Sequence, residues 1–78
     1  MRAILVKEGE WWCGQCIEKD IAAQSKSFEG VKKELIDTVD SYKELGKWEG
    51  VAEPPATPQD IVDELRRRPG AQEVDIGE

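Results

Sequence analysis

Residues 11–16 read WWCGQC. Two cysteines at this spacing form a redox pair if the first opens a helix and the sulfurs meet across its first turn. They can equally lie in a strand, where positions i and i+3 point to opposite faces. That choice decides the fold. The residues alternate as a strand does, with Trp12, Gly14 and Cys16 on one side and Trp11, Cys13 and Gln15 on the other. No helix signal follows, because IEKDIAAQSKS (17–27) lacks a 3.6-residue apolar period. In a strand, Cys13 and Cys16 cannot bond to each other without breaking the pleat.

Working outward, RAILVKE (2–8) is a preceding strand, and GE (9–10) is a turn signal that pairs it antiparallel with residues 11–17. EKD (18–20) reads as a second turn and IAAQSK (21–26) as a third strand. The strongest helical period comes next: Phe28, Val31, Leu35, Val39, Tyr42 and Leu45 recur at 3–4 spacing, with Ile36 beside them. Ser27 is a suitable N-cap and Gly46 a suitable terminator. Gly30 in the first turn costs up to ~1 kcal/mol relative to alanine.

Residues 1–47 thus form a β-β-β-α core, an α+β fold in which one long helix covers one face of a small antiparallel meander. Residues 48–56 (WEGVAEPPA) form a proline-containing linker, with Trp48 expected to anchor it to the helix end. Residues 57–69 form a short helix, with Thr57 as N-cap, Pro58 at N1, Asp60 in a capping-box position and Ile61, Val62 and Leu65 as its apolar face. Residues 70–78 are a tail or a short edge strand through Val74 and Ile76.

Length and charge bound the function. At 78 residues the chain is one domain, and a domain of this size buries only ~60% of the surface its unfolded chain exposes. Self-association, most simply as a homodimer, is the expected stabiliser, since two cysteines are too few for a disulfide scaffold. The formal charge is −6. Residues 1–47 carry 8 Lys/Arg and 9 Asp/Glu, a net of −1; residues 48–78 carry 3 Arg and 8 Asp/Glu, a net of −5. Such a chain is poorly suited to phosphate backbones and better suited to a basic protein. No apolar run reaches the ~20 residues of a membrane span. The short apolar stretch in MRAILVKEGE does not match a signal peptide, so a cytoplasmic location with reduced thiols is expected.

Chemistry-bearing patterns are sparse. Without histidine, one CxxC pair falls short of four zinc ligands, and no Ser/His/Asp set exists. There is no glycine-rich phosphate loop. No catalytic residue, cofactor or metal is expected.

Two resemblances bear on function. WCGQC (12–16) resembles the WCGPC active site of thioredoxins, and its position after a first strand is similar to that in glutaredoxins. That likeness would make Cys13 and Cys16 a thiol oxidoreductase pair. It also implies a strand directly after the first helix and then a proline-bearing hairpin, whereas here a proline-rich linker follows Leu45.

The wider stretch WWCGQCIEKDIAAQSKSFE resembles the signature of HicB-like domains, through Trp12, Gly14, Cys16, Glu18, Asp20, Ile21, Gln24, Ser25 and Ser27, with EPPATP matching the family's stretch after the helix. The similarity spans residues 2–58. Glu29-Gly30-Val31 departs from the usual acidic pair and alanine, and Ser25 stands where glycine is usual. The resemblance implies a β-β-β-α fold and an antitoxin or inhibitor that masks a small basic RNA-cleaving toxin. Many members of the family carry a C-terminal helix-turn-helix or ribbon-helix-helix for operator DNA. Residues 57–78 are too short for a helix-turn-helix and their acidity opposes DNA contact, so no direct nucleic-acid contact is expected. An orphan homodimeric or prophage accessory domain, acting as an acidic decoy, is the alternative.

On this scheme Ile4, Val6, Trp12, Gly14, Cys16, Ile21 and Ala23 lie under the long helix. Leu5, Trp11, Cys13, Gln15 and Ala22 lie on the open face and are the candidate partner or dimer interface.

Overall fold

The computed structural model describes residues 1–45 and 55–77. Three strands, β1 (Arg2–Glu8), β2 (Trp11–Cys16) and β3 (Ala22–Ser25), are followed by helix α1 (Phe28–Leu45), helix α2 (Gln59–Arg67) and a final strand β4 (Gln72–Asp75). The class is α+β: one antiparallel four-stranded sheet, in the order β3-β2-β1-β4, with two helices. The tail is therefore an edge strand beside β1, and the meander gains a fourth member. Gly46, Trp48 and most of the proline-containing linker lie outside the described residues.

The WWCGQC segment is strand throughout. Its register is set by a two-residue turn, Gly9-Glu10, with Gly9 at a φ of 61°. A two-residue loop pairs Glu8 with Trp11, and therefore Leu5 with Gly14 and Ala3 with Cys16. Odd positions of β1 share a face with even positions of β2. This corrects the expected faces: Leu5, with Ala3, packs under α1, whereas Ile4 and Val6 lie on the opposite side. The assignment from alternation treated each strand separately, and the parity of the loop overrides it.

Beneath α1, Val31, Leu35 and Val39 meet Ala3, Leu5, Cys16, Ile21 and Ile76. Trp12 packs edge-on against Phe28, with ring centroids 5.2 Å apart. Ser27 caps α1, its hydroxyl accepting from the Gly30 amide at 2.9 Å. A methyl group on Gly30 would press on the hydroxyls of Ser25 and Ser27, which accounts for glycine in a helical turn. Tyr42, placed by periodicity on the apolar stripe, is exposed.

The second face is not open. Val62 of α2 is 1% exposed and seals Ile4 and Val6, with Leu65 and Ala71 around it. Thr57 does not cap α2; Pro58 occupies the N-cap position, no side chain caps the helix, and the Asp60 capping box does not form. The Thr57 hydroxyl is buried instead and donates to the Cys16 carbonyl at 2.6 Å. That carbonyl would otherwise meet the Ile21 amide across the ladder, but the Ile21 amide turns back to the Lys19 carbonyl. A further hydrogen bond from the Asp20 amide to the Pro55 carbonyl, 2.7 Å, holds the approach to α2 against the β2–β3 turn.

Two substitutions test this packing. A Cβ on Gly14 would lie 2.6 Å from Leu35 Cδ1, 2.8 Å from Leu5 Cδ2 and 3.1 Å from Val31 Cγ2. Gly14→Ala is expected to cost about 1–3 kcal/mol in denaturant unfolding, because overfilled cores must shift. An unchanged midpoint would contradict the close approach of α1. Thr57→Val should cost about 1–3 kcal/mol, since the Cys16 carbonyl loses its shorter hydrogen bond and keeps only the longer one from the Gln15 side chain, and Thr57→Ser should recover most of that. Equal stability of the two variants would remove the hydroxyl from the account.

Candidate functional site

The nine residues of α2 are too few to cover a four-stranded sheet. The helix sits over β1, and among the described residues no element covers the β2–β3 half of the same face. What remains is a groove of about 520 Å³, floored by Cys13, Gln15, Ala22 and Gln24 and walled by Ile61 and Leu65. Ile61 and Leu65 are one turn apart on α2, so they flank the cleft together while Val62 turns beneath the helix. Ile61 is 38% exposed and Trp11, next along β2 from the floor, is 41% exposed.

Of the five candidate interface residues, four remain on this face and one does not. Ala22 is exposed on the floor. Trp11 stands at the end, with the Lys26 ammonium 5.5 Å from its ring centroid. Gln15 is half-buried and engaged: its amide nitrogen donates to Asp20 Oδ1 (3.1 Å) and to the Cys16 carbonyl (3.2 Å), with Thr57 Oγ1 at 3.4 Å. It is a brace between the floor and the α2 approach. Leu5 is fully buried on the α1 side and takes no part.

Ile61, Leu65 and Gln24 belong to the site but were not among those candidates. The i, i+4 spacing of Ile61 and Leu65 is a visible signal in the sequence. Where that small apolar stripe docks depends on the turn parity, which assigns Ile4 and Val6 to this face.

The two thiols lie on opposite faces. Cys16 is fully buried under α1, and Cys13 borders the groove. Cys13 Sγ donates to Glu8 Oε2 at 3.8 Å. Burial pushes the Cys13 thiol above its ordinary pKa, the Glu8 carboxylate adds to the rise by charge and hydrogen bonding, and Arg68 offsets part of it. A redox or nucleophilic cysteine requires the reverse shift. At the other edge, Glu73 accepts from Arg66 (3.2 Å) and Arg2 (3.3 Å), tying α2 and β1 to β4. These bonds, with the Arg66 bond foremost, lower its carboxyl pKa. Their stabilising contribution is present above the unfolded pKa and fades as pH falls through the folded one.

Among the described residues, no group of three or more His, Cys, Asp or Glu side chains could hold a metal ion, and no helix is long and apolar enough to cross a membrane. No family model, curated protein or solved structure matches the chain.

Alkylation of Cys13 in native protein should follow a pH profile displaced upward from that of a free cysteine. Glu8→Gln should move the profile down, because it removes a like charge and an acceptor held by the protonated thiol. A profile below that of free cysteine would contradict the geometry. The raised value also fixes a sign: the stability that Cys13 contributes is complete below its unfolded pKa and is lost as pH rises through the folded one.

Proposed function

We propose that the chain is a non-catalytic protein-binding module, a HicB-like antitoxin or inhibitor that masks a small basic RNA-cleaving or nucleic-acid-binding protein. The observation that carries this proposal is the groove: an apolar wall of Ile61 and Leu65 over a floor that mixes Cys13 and Ala22 with Gln15 and Gln24, on an acidic chain, left where α2 ends its cover of the sheet. Exposed carboxylates lie near it: Asp20 is bonded to Gln15 at the floor and Asp60 precedes Ile61 on α2, while Glu64 is paired with Arg68. Apolar area with an aromatic at its margin suits a docked side chain, and a surrounding negative field speeds the approach of a cationic partner.

The β-β-β-α order, the strand conformation of WWCGQC and the Ser27 cap agree with the HicB-like pattern seen in the sequence. The raised Cys13 pKa and the opposed thiols weigh against a thiol oxidoreductase.

Co-expression with a small basic protein encoded by an adjacent reading frame tests the proposal. The two should co-purify, and the partner's RNA cleavage should be suppressed in the complex. Leu65→Asp and Ile61→Asp in the groove wall should each weaken binding about tenfold or more, while Tyr42→Asp on the far side should leave it unchanged. Undiminished binding by both wall variants would contradict the assignment of the groove.

A further inference from the structure

We infer that the edge of β3 is a self-association surface, on which a second copy of this chain pairs antiparallel to make one continuous sheet. The argument starts from the phase of the ladder. The Cys16 amide donates to the Ile21 carbonyl at 2.9 Å. In the observed register, the same phase makes Gly14–Ala23 and Trp12–Ser25 the hydrogen-bonded pairs. Ala22 and Gln24 therefore turn their backbone amides and carbonyls outward, to the edge. The chain already uses this edge one step earlier, where the Asp20 amide donates to the Pro55 carbonyl. Among the described residues, none takes the outward groups of Ala22 and Gln24.

The two edges of the sheet differ. β4 reads QEVD, so self-pairing in the same antiparallel phase would set Glu73 against Asp75 of the partner subunit, a common guard on edge strands. β3 reads AAQS and carries no charge and no proline. An edge without such guards is a template for another strand.

Charge selects the occupant and its direction. The carboxylate of Asp20 stands just before β3, and the ammonium of Lys26 just after it. A two-fold axis across β3 pairs Ala22 with Gln24 of the partner subunit. Backbone pairing stops there because Pro55 already holds the Asp20 amide, and the long Lys26 side chain reaches past it to the carboxylate of Asp20 of the partner subunit, giving two opposite-charge contacts. A parallel arrangement would place like charges together. The pairing also sets the two grooves side by side, because Ala22 and Gln24 belong to both the groove floor and the seam. The seam shares Ala22 and Gln24 with the groove floor but not Ile61 and Leu65, so variants of the wall and variants of the seam report on the two readings separately.

Sedimentation of the full chain from low micromolar to millimolar concentration, with amide exchange on the same samples, tests the inference. A monomer–dimer equilibrium is expected, with the Ala22 and Gln24 amides gaining protection as the dimer fills. Lys26→Asp should weaken the dimer about tenfold, through two lost attractions and two new repulsions, and Lys26→Asp combined with Asp20→Lys should restore it. Gln24→Pro removes an outward amide without touching the β2 ladder and should abolish the dimer. If that variant does not fold, the charge-swap pair decides alone. A monomer at every concentration, or a dimer whose Ala22 and Gln24 amides exchange freely, would overturn the inference. So would a dimer indifferent to the charge swap.

Discussion

The structure depends on burial of β1 from both sides. Ala3, Ile4, Leu5 and Val6 are at most 2% exposed. Consecutive strand residues point in opposite directions, so four buried in a row require a cover on each face of the sheet. The long helix supplies one cover. The other must come from elsewhere, and α2 provides it through Val62 against Ile4 and Val6. Each of these side chains gains about 1.5–3 kcal/mol from leaving water. A nine-residue helix has little stability of its own, so α2 exists because it docks.

The remaining features follow from that demand. To reach β1, the segment before α2 crosses the β2–β3 turn, and Thr57, Gln15 and Pro55 hold it there. To stay on β1, the segment after α2 turns at Gly70, φ 76°, and returns as β4. β4 continues into Ile76, whose amide donates to the Met1 carbonyl at 2.9 Å, while the terminal amine bonds the Gly77 carbonyl. With α2 committed to β1, the β2–β3 half of the face is left as a groove. The groove is thus a by-product of a small chain protecting its central strand.

Much of this was legible in the sequence. The strand character of WWCGQC came from alternation, and α1 from a long apolar stripe behind Ser27. Val74 and Ile76 left the tail open between a frayed end and a short edge strand, and the strand forms over Gln72–Asp75. The faces of β1 were not read correctly, although two signals were present. AILV is a continuous apolar run, as expected of a strand buried on both sides, and a two-residue GE turn couples odd positions of β1 to even positions of β2. Treating each strand as an independent alternation placed Leu5 on the wrong side. Thr57 departs from its expected capping role for a different reason. Ser, Thr and Asp before a proline usually cap helices, but a buried ladder carbonyl competed for the same hydroxyl. That competitor is 41 residues away and carries no local signature. The groove needed both corrections before it could be placed.

The most direct measurement is the methyl nuclear Overhauser spectrum of the isotope-labelled chain. Contacts of Val62 with Ile4 and Val6, together with contacts of Leu5 with Leu35 and Val31, are the expected result. Contacts of Ile4 and Val6 with Val31 and Leu35 would mean that β1 is turned over, with α2 undocked and no groove beside it.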